Sequence, residues 1–192
     1  SPTQFWSIQL WIYHPDSEQR FLIDHVRQKM NASDFLDYKM AEGSYSGLME
    51  EWQRTSESIG FPIQYWIVET NAAQRFMLQY DYVKTWRGIH SVEIIPHNTN
   101  SVNKTDEQLG VTVLQSHYRF GRVRLPGKGE GKTRSMKLID EVTRYPNGTR
   151  TDDCVMAQWF LEWNPPNLYL PSMGATRSWR PSWVKTQSLA MR

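Results

Sequence analysis

The sequence predicts an α/β fold, with a mixed sheet, an antiparallel hairpin and flanking helices. The aromatic and β-branched stretch Phe5–Tyr13 (FWSIQLWIY) predicts a strand, and turn residues at 14–17 with a β-prone stretch at Arg20–Asp24 complete a hairpin. The mostly apolar stretch Phe61–Val68 (FPIQYWIV) is typical of a strand buried on both faces of a parallel sheet. Helical spacing over Leu48–Ile59 places a helix between the hairpin and that strand.

The middle of the chain continues the alternation of strands and helices. A helix is predicted over Asn71–Tyr82 and a short strand over Val92–Ile95. Together with Phe61–Val68 they form a βαβ unit, which is almost always right-handed. A capping-box pattern, Thr105 to Gln108, predicts the start of a helix that runs to about Tyr118.

The last third contains two predicted helices and a basic loop. The Gly- and Lys-rich stretch Gly121–Gly131 predicts an exposed loop around a short strand at Arg122–Leu125. Helices are predicted over Ser135–Thr143 and Asp152–Trp163, the latter with apolar residues on one face. From residue 164 onward Pro and Ser dominate. We therefore predict one folded domain over residues 1–165 and a basic Pro/Ser-rich tail over 166–192.

Composition restricts the class of protein. The 192 residues suffice for one well-buried domain, and 39% hydrophobic with 22% charged residues is typical of a folded protein. No apolar run approaches the roughly 18 residues that span a bilayer. The N-terminal residues lack the features of a signal peptide, and the single cysteine, Cys154, is typical of a reducing compartment. These features predict a cytosolic protein.

Charge is distributed unevenly along the chain. Residues 1–116 contain 9 basic and 14 acidic residues, a net charge of −5. Residues 117–192 contain 13 basic and 6 acidic residues, a net charge of +7. A basic half is expected in a protein that binds a polyanion such as nucleic acid, and an ordinary solvated surface is the alternative.

Two groups of carboxylates are candidates for chemistry. Glu69 ends the predicted buried strand, and ligands of open α/β sheets gather beyond the carboxyl ends of strands. Asp152 and Asp153 open the last predicted helix, and adjacent like charges repel unless a cation lies nearby. Carboxylate oxygens are the ligands that Mg²⁺ and Mn²⁺ prefer, and a pair of ions needs about three such ligands. The alternative for each acid is a helix-start carboxylate that interacts with backbone amides.

Other apparent signals are weaker. Residues 127–133 (GKGEGKT) resemble a phosphate-binding loop, but Pro126 stands where that pattern requires its first glycine. We therefore expect a flexible basic loop whose lysines, Lys128 and Lys132, contact DNA. The five histidines lack metal-ligand spacing and Cys154 lies on an apolar helix face, so zinc and thiol catalysis are not expected.

Several segments, in order, resemble one protein family. Trp66–Asn71 followed by Gln74 (WIVETN…Q) is similar to the E-x-N-x-x-Q segment of the nuclease domain of large terminase subunits of tailed bacteriophages, particularly actinophage-like ones. Further similar segments are Pro96–Thr99, Asn103–Asp106 with Gly110-Val111, Phe120–Pro126, Tyr145-Pro146 and Thr151–Ala157. The resemblance covers roughly Phe5 to Trp163.

The resemblance implies an RNase H-like fold and two-metal hydrolysis of double-stranded DNA with Mg²⁺ or Mn²⁺. Glu69 and Asp153 would be catalytic metal ligands, with Asp152 sharing or supporting the metal. Many relatives have another Asp at the position of Met156, so this chain departs from the family at one outer ligand of the metal. Lys104 would neutralise the scissile phosphate, Asn71 and Gln74 would orient Glu69, and the residues expected to bind DNA are Lys104, Arg122, Lys128 and Lys132.

The chain departs from the family at its start. In the family the first catalytic Asp lies on a strand before the hairpin, whereas here no acid precedes Asp16 in the hairpin turn. We therefore expect a fragment of a longer chain, without its first strand, which binds metal poorly and cuts DNA weakly or not at all. The implied partners of the whole protein are its ATPase domain, the portal, the small terminase subunit and further copies of itself, in the host cytoplasm. The tail would contact the portal or DNA.

Two alternatives remain at this stage. One is another RNase H-like nuclease, such as a junction resolvase or a recombinase. The other is a non-catalytic DNA-binding or assembly module, which the missing acid and the basic second half favour. Tail residues that support the second alternative are Arg177, Arg180, Lys185 and Arg192.

Overall fold

A computed structural model describes residues 5–70, 79–146 and 152–164. The strands are β1 (Phe5–His14), β2 (Gln19–Lys29), β3 (Asp37–Lys39), β4 (Ser44–Ser46), β5 (Tyr65–Glu69), β6 (Glu93–His97) and β7 (Val123–Arg124). The helices are α1 (Ala32–Phe35), α2 (Leu48–Ser58), α3 (Asp81–His90), α4 (Ser101–Lys104), α5 (Val113–Arg119), α6 (Gly129–Arg144) and α7 (Asp153–Trp163). The predicted α/β class is confirmed, including a mixed sheet and flanking helices.

The hairpin forms as predicted and is longer than the sequence indicates. β1 and β2 pair antiparallel from Phe5 opposite Lys29 to His14 opposite Gln19, with an irregularity between Leu10 and Trp11. A single 3₁₀ turn joins the strands, and the N–H of Ser17 donates to the His14 Nδ1. β7 pairs parallel to β2, and this pairing makes the three-stranded sheet β1–β2–β7 mixed.

The predicted parallel pair also forms, with different boundaries. β5 and β6 are parallel from Tyr65 opposite Glu93 to Glu69 opposite His97. The strand expected from Phe61 begins at Tyr65 because the N–H of Phe61 donates to the Ser56 carbonyl and thereby closes α2. Most of the helix expected over residues 71–82 lies outside the described residues, and α3 begins at Asp81.

The helix expected from Thr105 to Tyr118 is wrong at its start. The Asp106 carboxylate accepts hydrogen bonds from the N–H groups of Gln108 and Leu109, both at 2.8 Å. This local turn competes with helix formation, as short polar side chains commonly do. The helix begins only at Val113.

The basic loop is shorter than predicted, and the helix that follows it is longer. α6 begins at Gly129, whose φ of 66° is readily adopted only by glycine, instead of at Ser135. Lys128 therefore caps a helix and Lys132 lies within it, so the expected flexible loop around these lysines is wrong. Among the described residues, no helix has both the length and the apolar character needed to cross a membrane.

Strand β5 lies between two groups of helices. On one face, Trp66 and Val68 of β5 share a buried cluster with α2 and α3 residues such as Trp52 and Trp86. On the other face, Ile67 packs against a cluster formed mainly by α5 and α7. Successive strand residues point to opposite faces, so this alternation explains why the β5 segment is apolar throughout.

In the part of the chain that the structure describes, β1 and β5 are each hydrogen-bonded to a neighbouring strand on one side. β1 pairs with β2, and β5 pairs with β6. The two sheets share a core, because Trp6, Ile8 and Leu10 of β1 pack against the same buried cluster as β5. The polar side chain of Gln9 in β1 donates to the Cys154 carbonyl of α7 at 2.8 Å.

Candidate functional site

Glu69 lies at the carboxyl end of β5, as the sequence predicts. It is half-buried, and the chain leaves the strand immediately after it, where the N–H and hydroxyl of Thr70 donate to the His97 carbonyl at 2.7 and 3.0 Å. By strand alternation Glu69 is on the same sheet face as Ile67, which packs against the cluster containing Val155 and Met156. The face of β5 that carries Glu69 is therefore the face that α7 covers.

Asp152 and Asp153 open α7, as predicted. Asp152 is the residue before the helix, and its carbonyl accepts the N–H of Met156 at 2.9 Å. Asp153 is the first helical residue, and its Oδ2 accepts a hydrogen bond from Arg27 Nη2 at 2.9 Å. The cation that an adjacent pair of acids requires is thus Arg27 on β2. Sequence inspection could not find it, because Arg27 and Asp153 are 126 positions apart.

Glu141 of α6 caps the start of α7. Its Oε2 accepts hydrogen bonds from the N–H groups of Cys154 at 2.7 Å and Val155 at 3.4 Å. The Asp152 side chain makes no capping hydrogen bond. Because another carboxylate satisfies these amides, helix capping does not explain the acidic pair at 152–153, and the alternative interpretation of Asp152 as a side-chain cap is wrong.

The metal-binding interpretation of Glu69, Asp152 and Asp153 stays a prediction. Carboxylate oxygens from Glu69, Asp152 and Asp153 suit Mg²⁺ or Mn²⁺. However, residues 5–70, 79–146 and 152–164 contain no group of three or more His, Cys, Asp or Glu side chains arranged to hold a metal ion. Met156 is buried in the apolar cluster of α7, where an aspartate would lose hydration. The described residues therefore do not complete a two-metal site.

The predicted DNA-binding cations lie on separate elements. Lys104 ends α4 and is half-buried, and the Arg122 Nη1 forms an ion pair with Glu18 at 2.5 Å. Lys128 and Lys132 are exposed and one turn apart at the start of α6. Two of the four cations therefore form one basic helical face, and Arg122 is already partly neutralised. Asn71 and Gln74 lie outside the described residues.

Cys154 is fully buried next to the acidic pair. Burial is the largest of the effects that raise the pKa of its thiol to about 12. A buried neutral thiol is a poor nucleophile, so the residue acts in packing against Leu22 and Leu138.

His97 is a buried histidine that sequence inspection did not single out. The residue is 2% exposed, and its ring lies among those of Trp159, Phe160 and Trp163 of α7, with centroid distances of 5.1, 4.3 and 6.5 Å. Burial lowers the pKa of His97 to about 4. The imidazole is therefore neutral at pH 7, and it joins β6 to α7 as an aromatic side chain.

The low pKa of His97 predicts acid sensitivity. The unfolded chain binds a proton at this histidine below its ordinary pKa of 6.5, whereas the folded chain does so only near 4. The free energy of unfolding is therefore at its full value above pH 6.5 and decreases as the pH is lowered. At pH 4.5 we expect it to be about 2–3 kcal/mol smaller than at neutral pH. Urea unfolding at pH 7 and 4.5 measures this loss. We expect His97→Phe to reduce the loss between the two pH values, and an unchanged loss would contradict the assignment.

Comparison with protein-family models, with curated proteins and with solved structures gives no match to this chain.

Proposed function

We propose that the chain is the nuclease domain of a phage DNA-packaging terminase, which hydrolyses double-stranded DNA with Mg²⁺ or Mn²⁺. One observation carries the proposal: Glu69 ends β5 on the sheet face that α7 covers, and Asp152 and Asp153 open that helix. Glu141 caps the start of this helix, so the Asp152 side chain is not needed there as a cap. The ordered series of terminase-like segments supports the same function.

An RNase H-like fold is part of this proposal. It is supported by the antiparallel β1–β2 hairpin, the parallel β5–β6 pair and the final helix against the sheet.

Substrate preference distinguishes a packaging nuclease from other nucleases of the same fold class. A packaging nuclease is expected to cut linear and plasmid duplexes with little sequence preference. A junction resolvase cuts a four-way junction in preference to a duplex of the same arm sequence. Mn²⁺-dependent cleavage of both substrates, compared at equal concentration, tests the proposal. Cleavage confined to the junction would contradict it.

The basic face of α6 is proposed to contact DNA phosphates. Lys128 and Lys132 are exposed and one helical turn apart, and each neutralised phosphate releases counterions. We expect Lys128→Gln and Lys132→Gln each to reduce the slope of log K against log salt by about 1. Lys84→Gln is a matched control, because Lys84 pairs with Asp81 on α3. Equal slopes for all three variants would show that Lys128 and Lys132 do not contact DNA phosphates.

A DNA-binding module without catalysis is the second candidate. One observation favours it: Arg27 already neutralises Asp153. Such a module would bind duplex DNA equally well in EDTA and in Mn²⁺. A nuclease site is expected to bind DNA more tightly with the metal. Fluorescence anisotropy under both conditions distinguishes the two candidates.

A further inference from the structure

We infer that the turn between α5 and β7 binds an unpaired nucleic-acid strand, with a base stacked on the ring of Phe120. This Phe120 surface consists of Phe120 and the three arginines around it, Arg119, Arg122 and Arg124. It contains none of the carboxylates proposed for DNA cleavage. The inference therefore goes beyond the proposed function and does not depend on cleavage by this chain.

Phe120 is a large aromatic side chain that the core does not use. It is 69% exposed, whereas Leu114 and His117 of the helix before it are buried. Most of its ring is therefore open to solvent. An exposed aromatic ring is the group on which unpaired bases stack, whatever their sequence.

Hydrogen bonds fix the backbone that carries this ring. The N–H of Arg122 donates to the His117 carbonyl at 2.8 Å, and the N–H of Gly121 donates to the Tyr118 carbonyl at 3.1 Å. These two bonds form the Schellman motif that ends many helices, with Gly121 in the left-handed region at a φ of 64°. The Arg122 carbonyl also accepts an N–H of β2 at 2.8 Å. Phe120 is thus held on an ordered turn, so little conformational entropy is lost when a base stacks on it.

The charge around the ring suits a phosphate backbone. Residues 117–134 contain six basic residues and one acidic residue, a net charge of +5. Arg119 and Arg124 are exposed, so phosphates can approach them. Arg122, which is already ion-paired, places its guanidinium carbon 5.8 Å from the centroid of the Phe120 ring. An aromatic ring among cations binds single strands, because a base can stack on the ring only where it is unpaired.

The test is fluorescence anisotropy of a labelled oligothymidylate and of a labelled duplex of equal length, both in EDTA so that no cleavage occurs. We expect Phe120→Ala to weaken binding of the single strand by about 5–150-fold, the range typical of one stacked base. Duplex binding should change by less than about twofold, because phosphate contacts dominate it. Phe120→Trp keeps a flat ring and should bind the single strand at least as tightly as the parent. Phe120→Leu lacks a flat ring and should lose as much as Phe120→Ala.

Two variants elsewhere complete the comparison. Tyr80→Ala is the matched control, because Tyr80 is also an exposed aromatic residue, at 49%, but the cation beside it, Lys84, is paired with Asp81. It should leave single-strand binding unchanged. Arg124→Gln should reduce the slope of log K against log salt for the single strand by about 0.7, the value for one lost phosphate contact.

Three results would each overturn the inference. The parent fails to bind oligothymidylate saturably, Phe120→Ala binds it as tightly as the parent, or Phe120→Ala loses single-strand and duplex binding to the same extent. Each of these results leaves Mn²⁺-dependent cleavage, and with it the proposed function, to its own test. Thermal unfolding of the Phe120 variants should match that of the parent because the side chain is exposed, so that a loss of binding reflects the ring and not the fold.

Discussion

Replacing Glu162 by Ala is expected to destabilise the fold by about 3–5 kcal/mol. Arg20 donates two hydrogen bonds to Glu162, from Nε and Nη2, both at 2.6 Å. The two side chains are only 6% and 3% exposed, and His117 Nε2 lies 3.2 Å from the same carboxylate. Without Glu162 the guanidinium remains buried and unpaired, which is much more costly than losing an exposed ion pair. Urea unfolding at pH 7 measures the change.

A double replacement provides the control for this prediction. Arg20→Met with Glu162→Met removes both charges and keeps the volume, so we expect stability close to that of the parent. Burial raises the pKa of Glu162, but the hydrogen bonds from His117 and Arg20 outweigh it and hold the pKa below its ordinary 4.5. The ion pair therefore contributes to the free energy of unfolding above pH 4.5. This contribution is lost as the pH falls through the lower pKa of Glu162 in the folded protein. A loss below 1 kcal/mol for Glu162→Ala would contradict this account.

Glu69→Ala and Asp153→Ala are each expected to reduce Mn²⁺-dependent DNA cleavage more than a hundredfold in a protein with a complete set of acids. Loss of a metal ligand should exceed the roughly 10–100-fold cost of losing an outer-shell partner. Supercoiled-plasmid nicking measures the rate. Both residues are half-buried, so circular dichroism must show that the fold persists.

The control for this pair of variants is Asp16→Ala. Asp16 is an exposed acid in the hairpin turn and lies on the connection between β1 and β2. We expect its removal to leave nicking unchanged. If Glu69→Ala and Asp153→Ala cut as fast as this control, neither carboxylate serves the reaction.

Much of the fold was predictable because it depends on local patterns. The hairpin follows from a β-rich run on either side of turn residues, and the parallel pair follows from an apolar strand followed by helix and strand. The start of the helix predicted at Thr105 was wrong because Asp106 caps a local turn there. The predicted start of α6 was wrong because the glycines of this stretch favour a loop, although Gly129 and Gly131 lie in the first turn of the helix.

Only the site residues that a local sequence pattern marks could be predicted. Glu69 and Asp153 are recognisable from their positions at the end of a strand and the start of a helix. Arg27 and Glu141 carry no signal of their own, since each acquires its role from a contact with α7 that only the tertiary fold creates. The same holds for His97, whose aromatic surroundings come from α7, more than 60 residues further along the chain.

The central claim is tested most directly by plasmid cleavage in Mn²⁺. The assay compares this polypeptide with a version extended upstream through the expected first acid, each with and without Glu69→Ala. We predict that only the extended version cuts, and that Glu69→Ala stops it. Strong cleavage by the shorter polypeptide, abolished by Glu69→Ala, would contradict the need for a further strand. Tight duplex binding without cleavage by either version would contradict the nuclease itself and favour the binding module.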